Sequence, residues 1–85
     1  MNYRIAITAT AEKELKRLES IDRRRVSQAL QRLADDARPT GTRKLSGSKN
    51  DWRIRVGDYR VLYEIDDEEK LVTAWRIAHR REAYR

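Results

Sequence analysis

The 85-residue sequence predicts an α+β fold: an N-terminal strand, an antiparallel two-helix hairpin, then a mostly antiparallel sheet of three to four strands. Three observations predict it. Apolar residues alternate with polar ones near the N-terminus and again through the second half, the period of a half-buried strand. Between these stretches they recur three and four residues apart, the period of an amphipathic helix. The change of period falls at Pro39 and Gly41, residues that end helices. No repeat, low-complexity tract or linker interrupts the chain, so residues 1–85 read as one domain.

Taken in order, Tyr3, Ile5 and Ile7 line one side of a first strand. Thr10 is then placed to cap a helix, with Glu12 in its first turn and Leu15 and Leu18 on its apolar stripe, ending near Glu19. Asp22 is placed to cap a second helix, whose stripe is Val26, Ala29, Leu30, Leu33, Ala34 and Ala37. The link between the two is so short that they must form an antiparallel hairpin. Beyond Gly41, Arg43–Leu45 predicts a brief extended piece, and a polar loop "SGSKND" follows. Trp52–Val56 and Tyr59–Ile65 flank Gly57-Asp58, a strong hairpin signal. The acidic stretch "DDEEK" turns the chain into a last strand, Leu71–His79.

Composition narrows the function. Charged residues are 40% of the chain and apolar ones 39%, patterned throughout as a folded domain requires. Absence of cysteine excludes disulfides and thiolate chemistry, fits a reducing cytoplasm and disfavours a zinc site, so no metal or cofactor is expected. No apolar run approaches the ~20 residues that span a bilayer, and no secretory h-region opens the sequence, so no membrane partner is expected. Net charge is +6, and fifteen of the twenty basic residues are arginine. Arginine's planar fork suits phosphate and stacks on bases, which points to an anionic partner. Residues 1–42 and 43–85 each carry +3, so there is no basic tail, and any anion site is built by folding.

Strand parity says where. Tyr3, Ile5, Ile7, Trp52, Ile54, Val56, Tyr59, Val61, Tyr63 and Ile65 form the apolar set, assigned to the helix-covered side. The opposite set holds Arg53, Arg55, Arg60, Leu62, Glu64 and Arg76. Across the Gly57-Asp58 turn Arg55 faces Arg60, and like charges directly opposed repel. That cost suggests a bound anion, against the plainer alternative that the arginines splay into water and Glu64 neutralises part of the cluster. The C-terminal "RIAHRREAYR" adds Arg80, Arg81, Arg85 and Tyr84, together with the single histidine, His79, the only side chain here with an ordinary pKa near neutrality.

The string "LSGS…WRIRVGDYRVLYEID…V…RIAHRREAYR", preceded by a strand and a helical hairpin, resembles the RelE toxins of type II toxin–antitoxin systems, within the RelE/ParE superfamily. The resemblance covers essentially the whole chain. It implies a small RelE-like fold and metal-independent, ribosome-dependent cleavage of mRNA in the A site by 2′-OH attack, which inhibits translation. It implies a cognate RelB-like antitoxin as partner, mRNA on the ribosome as substrate, and contact with operator DNA only through the antitoxin complex. The family's functional positions fall on Arg53 and Arg55 of the first hairpin strand, Arg60 of the second, Arg80 after the last strand, and Tyr84. RNA contacts are expected from Arg53, Arg55, Arg60, Arg76, Arg80 and Arg81, with His79 as a possible acid or base. Best-studied members carry lysine where this chain has Arg53 and Arg55. Arginine stays protonated at physiological pH and makes a poor general base. A ParE-type toxin that inhibits DNA gyrase without catalysis, or a degenerate toxin surviving as co-repressor, are the alternatives.

Overall fold

The computed structural model describes residues 2–82. The elements are β1 (Arg4–Ile7), α1 (Ala9–Arg17), α2 (Ser20–Arg32), β2 (Arg43–Lys44), β3 (Asp51–Val56), β4 (Tyr59–Asp66) and β5 (Leu71–His79). They form one five-stranded sheet in the order β1-β5-β4-β3-β2, with both helices packed on one side. β1 runs parallel to β5, and every other neighbouring pair is antiparallel. The expected α+β architecture is therefore the observed one, with four strands after the helical hairpin.

Two helix starts differ from expectation. Thr8, in extended conformation, caps α1: its hydroxyl accepts the Ala11 N–H at 3.2 Å. Thr10 lies inside the first turn, because the chain becomes helical as soon as β1 ends. Glu19 occupies the cap of α2 without a side-chain bond, so Asp22 serves the first turn, where its charge complements the helix dipole. Between the helices lie Leu18 and Glu19 alone. The Arg23 guanidinium donates to the Lys16 and Leu18 carbonyls at 3.3 and 3.2 Å, satisfying groups that the end of α1 leaves open. α2 stops at Arg32, short of Ala34 and Ala37. The Ala34 carbonyl instead accepts the N–H groups of Asn2 and Tyr3 at 2.9 and 3.0 Å, pinning the chain's start to the helix end.

The core matches the parity assignment. Val26, Leu30 and Leu33 of the helix stripe meet Val61, Tyr63 and Ile65 of β4 and Val72, Ala74 and Ile77 of β5. Trp52, Ile54, Val56 and Tyr59 pack against this cluster from the hairpin. Tyr63 is wholly buried and donates its hydroxyl to the Ala37 carbonyl at 2.9 Å. Burial pushes this phenol's pKa above its ordinary value, against a smaller lowering by the Thr42 hydroxyl beside it. The β3–β4 turn is tight because Gly57 takes φ +60°, a conformation that costs glycine nothing.

One irregularity matters for function. The β4–β5 register slips between Leu62 and Tyr63: Tyr63 pairs with Ala74, but Leu62 pairs with Arg76, leaving Trp75 as an extra residue. A bulge of this kind reverses the parity of everything beyond it. Val72 and Ala74 are core before it, and Ile77 is core after it. No described helix is long and apolar enough to cross a membrane.

Candidate functional site: an arginine face on the sheet

The strand register lays the arginines out in two rows across the face away from the helices. In the first, Arg43 of β2 pairs with Arg53 of β3, Arg53 with Leu62 of β4, and Leu62 with Arg76 of β5. In the second, nearer the hairpin turn, Arg55 pairs with Arg60, and Arg60 with Ala78. Neither row contains an acidic residue. Glu64 does lie on this face, but in a further row, between Asp51 and Thr73. It is four residues from Arg60 along the strand, roughly 13 Å at the usual rise. It is therefore not the neutralising neighbour of the Arg55–Arg60 pair.

Arg60 is the singular member. Its exposure is 7%, the only charged residue among those buried in the described chain. A buried guanidinium keeps its charge and is costly to hold without compensation. Flanked by Arg55 and the small Ala78, it is fixed on a central strand, where backbone pairing on both sides restricts its movement. Arg55 is exposed and Arg53 half-buried. Arg80 follows β5, and its N–H donates to the Asp58 carbonyl at 2.7 Å, which ties it to the β3–β4 turn at the same end as Arg55 and Arg60.

Other expected residues lie elsewhere. Arg76 belongs to the first row by register, yet its Nε donates to the Glu14 carboxylate of α1 at 3.1 Å. The other Glu14 oxygen accepts the Ile77 N–H at 2.7 Å. β1 pairs with β5 only as far as Ala74, so Glu14 caps the β5 edge that β1 leaves open, and Arg76 is its counter-ion. His79 pairs with Tyr59, whose ring it meets edge-on at 5.4 Å between centroids. Tyr59 is on the core side, so the imidazole lies across the sheet from Arg55 and Arg60. Its Nδ1 accepts the Arg81 N–H at 3.3 Å. Arg81 is exposed just beyond β5. Tyr84 falls outside the described residues.

Sequence reasoning passed over Arg43. Its place beside Arg53 follows from pairing across the "SGSKND" loop, and reading that loop as a second hairpin connection is the signal that finds it. Arg43, Arg53, Arg55 and Gly41 together line a shallow concavity. Chemically, the face is a rigid array of permanent cations with a buried donor at its centre. Such an array suits successive phosphates, but the arginines themselves do not take up a proton, and the described carboxylates of this face, Glu64 and Asp51, stand in a further row.

Sequence and structure comparisons agree with this architecture. The family described as ParE toxin of type II toxin-antitoxin system, parDE, matches residues 5–84. Toxin RelE of Mycobacterium tuberculosis (strain ATCC 25618 / H37Rv) is 37% identical over 84 residues, covering 98% of this chain and 87% of that protein. Toxin RelG of the same strain is 35% identical over 89 residues, covering 100% of this chain and 99% of that one. The archaeal RelE–RelB complex from Pyrococcus horikoshii OT3 contains a chain that superposes with a TM-score of 0.86 at 28% identity, covering 98% of this chain and 100% of its own. The chain belongs to the RelE/ParE superfamily of toxins from type II toxin–antitoxin systems.

Proposed function

We propose that the chain is a ribosome-dependent endoribonuclease that cleaves mRNA in the A site and so stops translation, held in check in the cytoplasm by a RelB-like antitoxin. The observation that carries this reading is the pair of acid-free arginine rows with Arg60 buried at their centre. Cleavage without a metal uses the 2′-oxygen as nucleophile on the adjacent phosphorus. Negative charge then builds on the phosphoryl oxygens and on the departing 5′-oxygen. Pre-placed donors aimed at such charge contribute ~10²–10³ each in comparable sites. Arg60 and Arg80 take the scissile phosphate in this scheme. Arg53 and Arg55 hold the flanking backbone, and Arg81 supplies a more distant positive charge. Tyr84 stacks on an unpaired base, a contact worth ~1–3 kcal/mol. With no proton acceptor among the arginines, alignment of the 2′-oxygen by the ribosome carries much of the barrier. His79, across the sheet, has at most an indirect part, and Arg76 is engaged by Glu14.

The Pyrococcus structure holds its RelE with RelB. An antitoxin segment of the same kind, acidic and apolar, would cover the basic face here, with operator DNA bound only through that complex. The ParE reading has its own support, since the matching family is described as ParE toxin. Induced expression separates the readings. Arrest of translation, with cleavage on programmed ribosomes that Arg60→Ala abolishes, supports the nuclease. Arrest of replication with intact mRNA overturns it in favour of gyrase inhibition, and absence of any arrest leaves the co-repressor.

A further inference from the structure

Arg76 and Arg43 stand at opposite ends of one row, and they differ in what they touch. Arg76 is bound to Glu14, so the β5 end of the row carries little net charge. Arg43 is exposed on the edge strand and has no ion pair among the described residues. Paired residues of an antiparallel ladder lie ~4.5–5.5 Å apart at Cα. The guanidiniums of Arg43 and Arg53 therefore emerge side by side, and with Arg55 they line one concavity. From Arg60 toward β2 the face presents Arg55, Arg53 and then the exposed Arg43 in succession.

We propose that Arg43 is a further phosphate-binding position, and that the RNA strand crosses the sheet from Arg60 over Arg55 and Arg53 to leave at the β2 edge beside Arg43. This rests on the nuclease reading and adds to it the direction of the substrate path. Arg43 touches no reacting atom on this route; it is a positioning residue whose loss weakens capture of the substrate.

Lys44 supplies the control that separates position from bulk charge. It is the next residue, equally exposed, on the same two-residue strand. It pairs with Trp52, so its side chain leaves the opposite face of the sheet. Arg43→Ala and Lys44→Ala each remove one positive charge, and neither opens a core. Single-turnover cleavage with programmed ribosomes in excess reads half-saturation and maximal rate separately. Arg43→Ala should raise the half-saturating concentration roughly tenfold, as loss of one charge-assisted hydrogen bond implies, with the maximal rate unchanged. The salt dependence of half-saturation should fall by about 0.7 in log–log slope, the share of one single-strand phosphate. Arg43→Lys should restore most of both, and Lys44→Ala should move neither. Parental behaviour of Arg43→Ala, or equal effects at positions 43 and 44, overturns the proposal while leaving the nuclease reading intact. A parent chain that cleaves nothing on programmed ribosomes overturns both.

Discussion

Two groups of arginines in this molecule sit in opposite surroundings. Arg38 and Arg76 are bound to carboxylates. Arg38 meets Asp67 at 2.9 Å and lies over the Trp52 ring at 5.0 Å, while Arg76 meets Glu14 at 3.1 Å. Each of these pairs joins segments far apart in the chain. Arg43, Arg53, Arg55 and Arg60 share rows in which no acid appears, and the pairing there is arginine with arginine. Carboxylates engage the first group within the fold, whereas the second stands in rows that hold no carboxylate. Residue type does not distinguish them. What distinguishes them is whether the register brings a carboxylate alongside, and that difference predicts which substitutions cost activity and which cost stability.

The largest expected effect separates the two groups most sharply. Arg60→Ala should lower cleavage on programmed ribosomes by ~10²–10³, the usual cost of one preorganised donor to developing charge. Unfolding by urea, followed in parallel, should show the variant still folded. A variant that retains cleavage would place Arg60 with the structural arginines.

Glu14→Ala tests the other side. It removes the acceptor of the Ile77 N–H and the partner of Arg76 together. Hydrogen bonds to a charged group contribute ~1.5–3 kcal/mol, so unfolding free energy should drop by about that amount. Maximal cleavage by the folded fraction should not change. A simultaneous loss of maximal rate would move the β5 edge into the working surface.

Tyr63→Phe gives a smaller effect, with a pH signature. The hydroxyl's bond to the Ala37 carbonyl is buried, and its loss should cost ~0.5–1.5 kcal/mol. The folded-state pKa lies above the ordinary 10.0, so this phenol's contribution is fully present below that pH and is lost as pH rises through the raised value. Phenylalanine has nothing to ionise, so the alkaline fall in stability should be shallower in the variant. Tyr3, raised chiefly by its hydrogen bond to Asp67, should leave a residual slope. Identical alkaline limbs would show that Tyr63 titrates as freely in the fold as out of it.

The smallest effect concerns the Arg38 pair on the surface. Arg38, and then Tyr3, hold the Asp67 carboxyl below its ordinary 3.8. That contribution is present above 3.8 and disappears as pH falls through the lowered folded value. Asp67→Asn should flatten the acid limb of a stability–pH curve slightly, and added salt should erase the difference because both groups are exposed. An unchanged acid limb at low salt would mean that the pair contributes nothing.

Local periodicity determined a large part of this protein before any tertiary contact was known. Alternation put Trp52, Ile54, Val61 and Tyr63 on one side of the hairpin and Arg53, Arg55 and Arg60 on the other, because neighbouring strand residues must face opposite ways. The same logic, at helical period, placed Val26, Leu30 and Leu33 against them. The tertiary structure decided whatever depends on relations between segments. The cap moved from Thr10 to Thr8 because the end of β1, fixed by pairing with β5, sets where the helix begins. The extra residue at Trp75 decided that Arg76, in phase with the core residues Val72 and Ala74, pairs with Leu62 on the arginine face, and that His79 goes to the side of Tyr59. A single inserted residue inverts parity without altering the composition or hydrophobicity that a sequence displays. The capture of Arg76 by Glu14 and the seat of Arg43 beside Arg53 likewise required chain segments to meet across intervening loops. The charges available were written in the sequence. Which of them a carboxylate engages was settled only by the register and by which carboxylates the folded chain brought within reach.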